Sequence, residues 1–104
     1  MKYEVREAAG RVIVALAGEI DLDSSPELRE LLLGQIQGTD LHVDLREVQY
    51  IDSSGIATLV EAFQAARRQG SAFALAGISE PVGRVLELAR LDQVFTILDG
   101  DGDT

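Results

Sequence analysis

The chain has no cysteine, which removes disulfides, thiolate metal centres and cysteine nucleophiles together and fits a reducing compartment. It has one lysine, Lys2, and one histidine, His42. With 9 basic against 18 acidic residues and a formal net charge of −9, it lacks the positive surface that nucleic-acid backbones and anionic headgroups require. Nucleic acid and direct membrane insertion are therefore not expected, and the expected partners are proteins. No apolar run approaches the roughly 18 residues of a membrane span. After Met1, the charged alternation of Lys2 to Glu7 replaces the apolar core of a signal peptide. The expected location is cytoplasmic.

What is present is 104 residues with 46% hydrophobic content, enough for one compact domain. Lys2 to Glu7 reads as a first strand, Ala8-Ala9-Gly10 as a turn, and Arg11 to Ala17 as a central strand apolar on both faces. Gly18-Glu19-Ile20-Asp21 ends that strand. Helix-start signals crowd Leu22 to Glu27: either Ser25 is the N-cap with Pro26 behind it, or Ser24 and Glu27 form a capping box. Leu28, Leu31, Leu32 and Ile36 then recur with helical spacing.

Leu41 to Leu45 alternates as a strand with one face in the core, and Arg46 to Ile51 reads as a connecting loop. After Asp52-Ser53-Ser54-Gly55 a second helix carries Ile56, Leu59, Val60 and Phe63 on one face and ends at Gly70, the expected left-handed cap. Ser71 to Ala76 is a further strand. A third helix starts at Ser79-Glu80-Pro81 and buries Val82, Val85, Leu86 and Ala89. Val94 to Leu98 is a last edge strand or a docking segment.

The predicted fold class is α/β: a mixed sheet of four to five strands with an N-terminal antiparallel hairpin, parallel crossovers after it, and packed helices. One domain over 1–98 and a flexible acidic tail over 99–104 are expected. The tail's Asp99, Asp101 and Asp103 imitate the start of a calcium loop, but Thr104 stands where its glycine belongs, so no metal is expected.

Enzyme chemistry finds little support. Ser53 at a strand-to-helix junction invites a hydrolase reading, yet a nucleophile elbow needs glycine two residues before the serine, and Ile51 stands there. A triad needs a base, and His42 lies back in the preceding strand. Scattered glycines and the lack of a suitable lysine exclude a phosphate-binding loop, so no cofactor is expected. The remaining role for the hydroxyl pair is as an acceptor. A phosphoryl group on Ser53 would sit at the positive end of a helix, where the N–H groups of Gly55 and Ile56 are candidate donors to it. Simple helix capping by Asp52 and the serines is the plain alternative.

Val43 to Ile56, with Gly18-Glu19-Ile20-Asp21, Ser25-Pro26-Glu27-Leu28 and Leu75 to Val82, resembles the STAS domains, specifically the bacterial anti-sigma factor antagonists. The resemblance implies a STAS-like fold and a regulatory protein that is not an enzyme. In such proteins an anti-sigma factor serine kinase phosphorylates the serine that follows the aspartate, here Ser53. The unmodified antagonist holds the kinase, phosphorylation breaks the complex, and a PP2C-type phosphatase resets it. Asp21 maps to a kinase-contacting acid, and Asp23, Ser24, Asp52, Ser54, Gly55 and Ile56 complete the expected partner-binding surface. Ser54 occupies a second hydroxyl position with a structural role. The alternative implied by the same resemblance is a cytosolic STAS subunit of a lipid-transporting ABC system or another transporter-regulatory module.

Overall fold

The computed structural model describes residues 1–98; the expected acidic tail and its three aspartates lie outside them. The elements are β1 (Lys2–Ala8), β2 (Arg11–Ile20), α1 (Ser25–Gln35), β3 (Leu41–Ile51), α2 (Ser53–Arg68), β4 (Phe73–Ala76), α3 (Glu80–Leu88) and β5 (Thr96–Leu98). The five strands lie side by side in chain order. β1 and β2 are antiparallel, joined by a two-residue turn with positive φ at Ala9 and Gly10. From β2 to β5 every neighbour is parallel.

This order has a geometric consequence. Each parallel strand is added on the same side of the last, so three successive right-handed crossovers carry all three helices to one face of the sheet. The core lies between them: Val14, Leu16, Val43 and Leu75 from the strands meet Leu28 and Leu32 of α1, Leu59 and Ala66 of α2, and Val82 and Leu86 of α3. Phe63, Phe73 and Phe95 close one end, with ring centroids 5.5 to 6.2 Å apart. α2 ends in a Schellman motif, with Gly70 at φ +73°, its N–H on the Arg67 carbonyl and the Ser71 N–H on the Ala66 carbonyl.

Five local expectations change. β2 does not stop at Gly18 but runs to Ile20, and Arg46 to Ile51 is strand and not loop. Both follow from bulges. β3 advances from Asp44 to Glu47 while β2 advances from Ala15 to Ala17, and from Val48 to Tyr50 while β2 advances from Gly18 to Glu19. Each extra residue breaks the two-residue alternation, so the inward residues become Leu45, Val48 and Ile51, at a spacing that mimics irregular chain.

β3 is also covered on more than its helix side. Asp44 is buried, accepting the Arg46 backbone N–H at 3.0 Å with the Arg46 guanidinium 3.4 Å away. The N-terminus of α1 makes neither predicted cap bond. Ser24 is the N-cap residue but its backbone is helical and its side chain makes no cap bond. In α3, Ala89 lies past the end of the helix and is exposed, because the helix stops at Leu88.

Candidate functional site

The register Ile20↔Ile51 decides the site. Parallel neighbours end on the same edge of a sheet, so the residues after Ile20 and after Ile51 leave side by side at the carboxyl ends of β2 and β3, where open α/β sheets place their sites. The Asp52 N–H bonds the Ile20 carbonyl at 3.1 Å. Asp21 to Ser24 and Asp52 to Ser54, far apart in the chain, thus become neighbours.

Asp52 caps α2. Its extended backbone turns the carboxylate back, and Oδ1 accepts the N–H of Ser54 at 3.0 Å and of Gly55 at 3.1 Å as well as the Ser54 hydroxyl. These bonds hold the Asp52 carboxyl below its usual pKa: the Ser54 hydroxyl contributes most, then the Gly55 N–H against an opposing desolvation, with smaller contributions from the Ser54 and Leu22 N–H groups. The Ile56 N–H is taken by the Asp52 carbonyl at 3.0 Å. Both donors expected for a phosphate, on Gly55 and Ile56, are therefore already engaged by Asp52.

The two serines divide sharply. Ser54 Oγ lies 2.9 Å from Ser25 Oγ, and the Ser25 hydroxyl donates to the Asp21 carbonyl at 2.7 Å, so Ser54 ties the start of α2 to the start of α1. Ser53 is exposed at the first residue of α2, and among the described residues its hydroxyl has no hydrogen-bond partner.

Beside it the loop after β2 is pinned on itself. Asp21 Oδ1 accepts the N–H groups of Asp23 and Ser24, both at 3.1 Å, while Ser24 Oγ accepts the Asp21 N–H at 2.9 Å. Of the expected surface, Asp23 is exposed and Asp21, Ser24, Asp52 and Ser54 are partly buried. Gly55 and Ile56 face inward. A Cβ on Gly55 would lie 2.7 Å from both Ile20 Cγ2 and Ile51 Cγ1, so its missing side chain makes room for the protein's own core and not for a visitor.

Comparison with known proteins matches residues 2–100 to the STAS domain. The chain is 35% identical over 98 residues to an anti-sigma-B factor antagonist of Bacillus subtilis, covering 93% of this chain and 90% of that one. It belongs to the STAS family, among the anti-sigma factor antagonists. A second relative, the anti-sigma-B factor antagonist of Listeria monocytogenes, is 33% identical over 106 residues, covering 99% and 93% of the two chains. In fold the chain is similar to the anti-sigma factor antagonist SpoIIAA in its unphosphorylated form, with TM-score 0.82 at 16% identity over 98% of this chain and 90% of that one. The phosphorylated form of the Bacillus SpoIIAA gives TM-score 0.77 at 17% identity, over 98% and 94%. The names of these relatives favour the antagonist over the transporter-subunit alternative. No helix of the described residues is long and apolar enough to cross a membrane.

Two neighbours of the site carry no functional mark in the sequence. The helix-start pattern makes Ser25 one of two candidate caps, whereas it is the buried partner of Ser54. Leu22 falls within the same helix-start pattern, whereas it stands 74% exposed between Asp21 and Asp23. No local signal marks it, since Ile20 two residues earlier makes Leu22 look like a continuation of the strand alternation.

Proposed function

We propose that this STAS protein is a partner-switching antagonist: it binds an anti-sigma factor serine kinase while Ser53 is unmodified, frees the sigma factor, and loses the kinase when Ser53 is phosphorylated. It is a substrate and a ligand, not an enzyme, and a PP2C-type phosphatase restores it in the cytoplasm. The observation that carries this reading is the contrast within the hydroxyl pair. A kinase must bring its phosphate within bonding distance of the acceptor oxygen, and Ser53 offers an exposed hydroxyl at an ordered helix start while Ser54 is spent on structure.

The same cap explains why the modification acts at the surface. Asp52 already holds the N–H groups that would receive a phosphate, and its own negative charge opposes the new one, so the phosphoryl group projects outward and does not rebuild the helix end. Asp21, Asp23, Ser24, Asp52 and Ser54 surround it as the recognition surface, with Gly55 and Ile56 supporting it from beneath. A penalty of about 3 kcal/mol for a desolvated like charge weakens a complex on the order of a hundredfold.

The test is incubation with ATP and the cognate anti-sigma kinase, followed by mass-spectrometric mapping. Phosphate is expected on Ser53, none on Ser53→Ala, and kinase binding of Ser53→Glu about a hundredfold weaker than wild type. Modification at Ser54 alone, or recovery of an ABC ATPase and permease in place of a kinase, overturns the reading.

A further inference from the structure

Leu22 is exposed without being loose. The loop that carries it is held at both ends: Asp21 Oδ1 bonds the N–H groups of the two residues that follow Leu22, the Ser25 N–H reaches the Asp21 carbonyl at 2.8 Å, and Ser24 Oγ returns to the Asp21 N–H. Presenting an apolar side chain from such a loop costs a partner little ordering entropy on binding.

The two flanks of Leu22 differ. On one side lie Asp52, towards which the Leu22 N–H contributes, and the exposed Ser53. On the other a surface depression of about 670 Å³ opens between the N-terminus and the start of α1. Glu19, Asp21, Asp23 and Glu27 line it, with Lys2 as the one basic side chain. The loop is thus an apolar crest between the acceptor serine and an acidic cleft.

We infer that Leu22 is the apolar anchor of the kinase interface and that the acidic cleft behind it receives basic side chains of the same kinase. This inference rests on the partner-switching reading. To modify Ser53 the kinase must bring the rim of its nucleotide site against the start of α2, and any surface docked there also meets Leu22. The occupant fitted by this relief carries an apolar socket bordered by arginine or lysine. The socket excludes water from the acceptor, and the cationic border answers the four carboxylates. A desolvated central leucine ringed by polar contacts is the arrangement in which truncation of one side chain is costly, and the charged cleft sets association rate and partner choice. Leu22 is a specificity-determining residue in this scheme and takes no part in phosphoryl transfer.

The experiment measures binding of the full chain to its cognate anti-sigma kinase, held with a non-hydrolysable ATP analogue so that Ser53 stays unmodified. Leu22→Ala is expected to raise Kd about tenfold to a hundredfold while leaving the thermal midpoint nearly unchanged, because the side chain is 74% exposed. The double variant Glu19→Gln/Glu27→Gln is expected to associate more slowly and with a shallower salt dependence than wild type. If wild type is bound and phosphorylated but Leu22→Ala binds as tightly, the anchor is overturned and the partner-switching reading stands. If the double variant keeps the wild-type association rate and salt dependence, the cleft is overturned. Failure of wild type to bind the kinase or accept phosphate overturns the partner-switching reading and this inference with it.

Discussion

The hydroxyls of Ser25 and Ser54, 29 residues apart in the chain, meet at 2.9 Å across the starts of two helices. Ser54 also reaches the Asp52 carboxylate and Ser25 the Asp21 carbonyl, so two hydroxyl protons are shared among three contacts. The four residues form one polar strut that fixes the relative position of α1 and α2 directly beneath the acceptor serine.

Ser54→Ala removes the middle of that strut and leaves Ser25 and Asp52 each short of a partner. The expected loss is about 1 to 2 kcal/mol, seen as a thermal midpoint lowered by roughly 4 to 16 °C for a domain of this size. Ser53→Ala removes a hydroxyl that has no partner among the described residues and is expected to leave the midpoint in place. In the kinase assay the order reverses: Ser54→Ala still accepts phosphate and Ser53→Ala does not.

Gly55→Ala is expected to destabilise the fold although alanine is the better helix former. The added Cβ falls 2.7 Å from two side chains, those of Ile20 and Ile51, and both are buried in the core. Neither isoleucine has space to retreat, so the start of α2 must lift from the sheet. Overpacking of this kind costs about 1 to 3 kcal/mol. Equilibrium urea unfolding reads it as a lower midpoint with unchanged slope, and an unchanged midpoint would show that the helix start is free to shift.

Asp52 supplies the acid limb of the stability profile. Its pKa is lower in the folded chain than in the unfolded one, chiefly through the Ser54 hydroxyl and the Gly55 N–H. The unfolded state therefore binds the proton first as pH falls. The carboxylate's contribution is complete above the ordinary aspartate value of about 4 and is lost as pH drops through the lowered folded value. Asp52→Asn keeps the shape and removes the titration. Urea midpoints measured between roughly pH 2 and 6 are expected to fall less steeply on acidification in Asp52→Asn than in wild type; parallel curves would show that other carboxylates carry the limb.

The order of elements, the opening hairpin and the helix-facing core could be read from the chain because they rest on local periodicity. Leu28 and Leu32, or Val82 and Leu86, recur at helical spacing whatever surrounds them, and both pairs are buried. The second half of β3 could not be read in that way. Val48 and Ile51 face inward only because two bulges shift the strand against β2, and a bulge is a property of the pair of strands.

The acceptor motif divides along the same line. By itself the sequence determined that Asp52 precedes two serines at a helix start, since capping chemistry is written in adjacent residues. Only the tertiary structure decided which serine is spent and which is free, because the partner that occupies Ser54 arrives from α1. It also decided that Asp21 to Ser24 stand beside Ser53, because the Ile20↔Ile51 register brings two strand ends to one edge. And it left Leu22 exposed while the similarly apolar Leu28 lies in the core. Burial depends on what lies opposite a side chain, and for a loop residue nothing in its own neighbourhood of sequence specifies that.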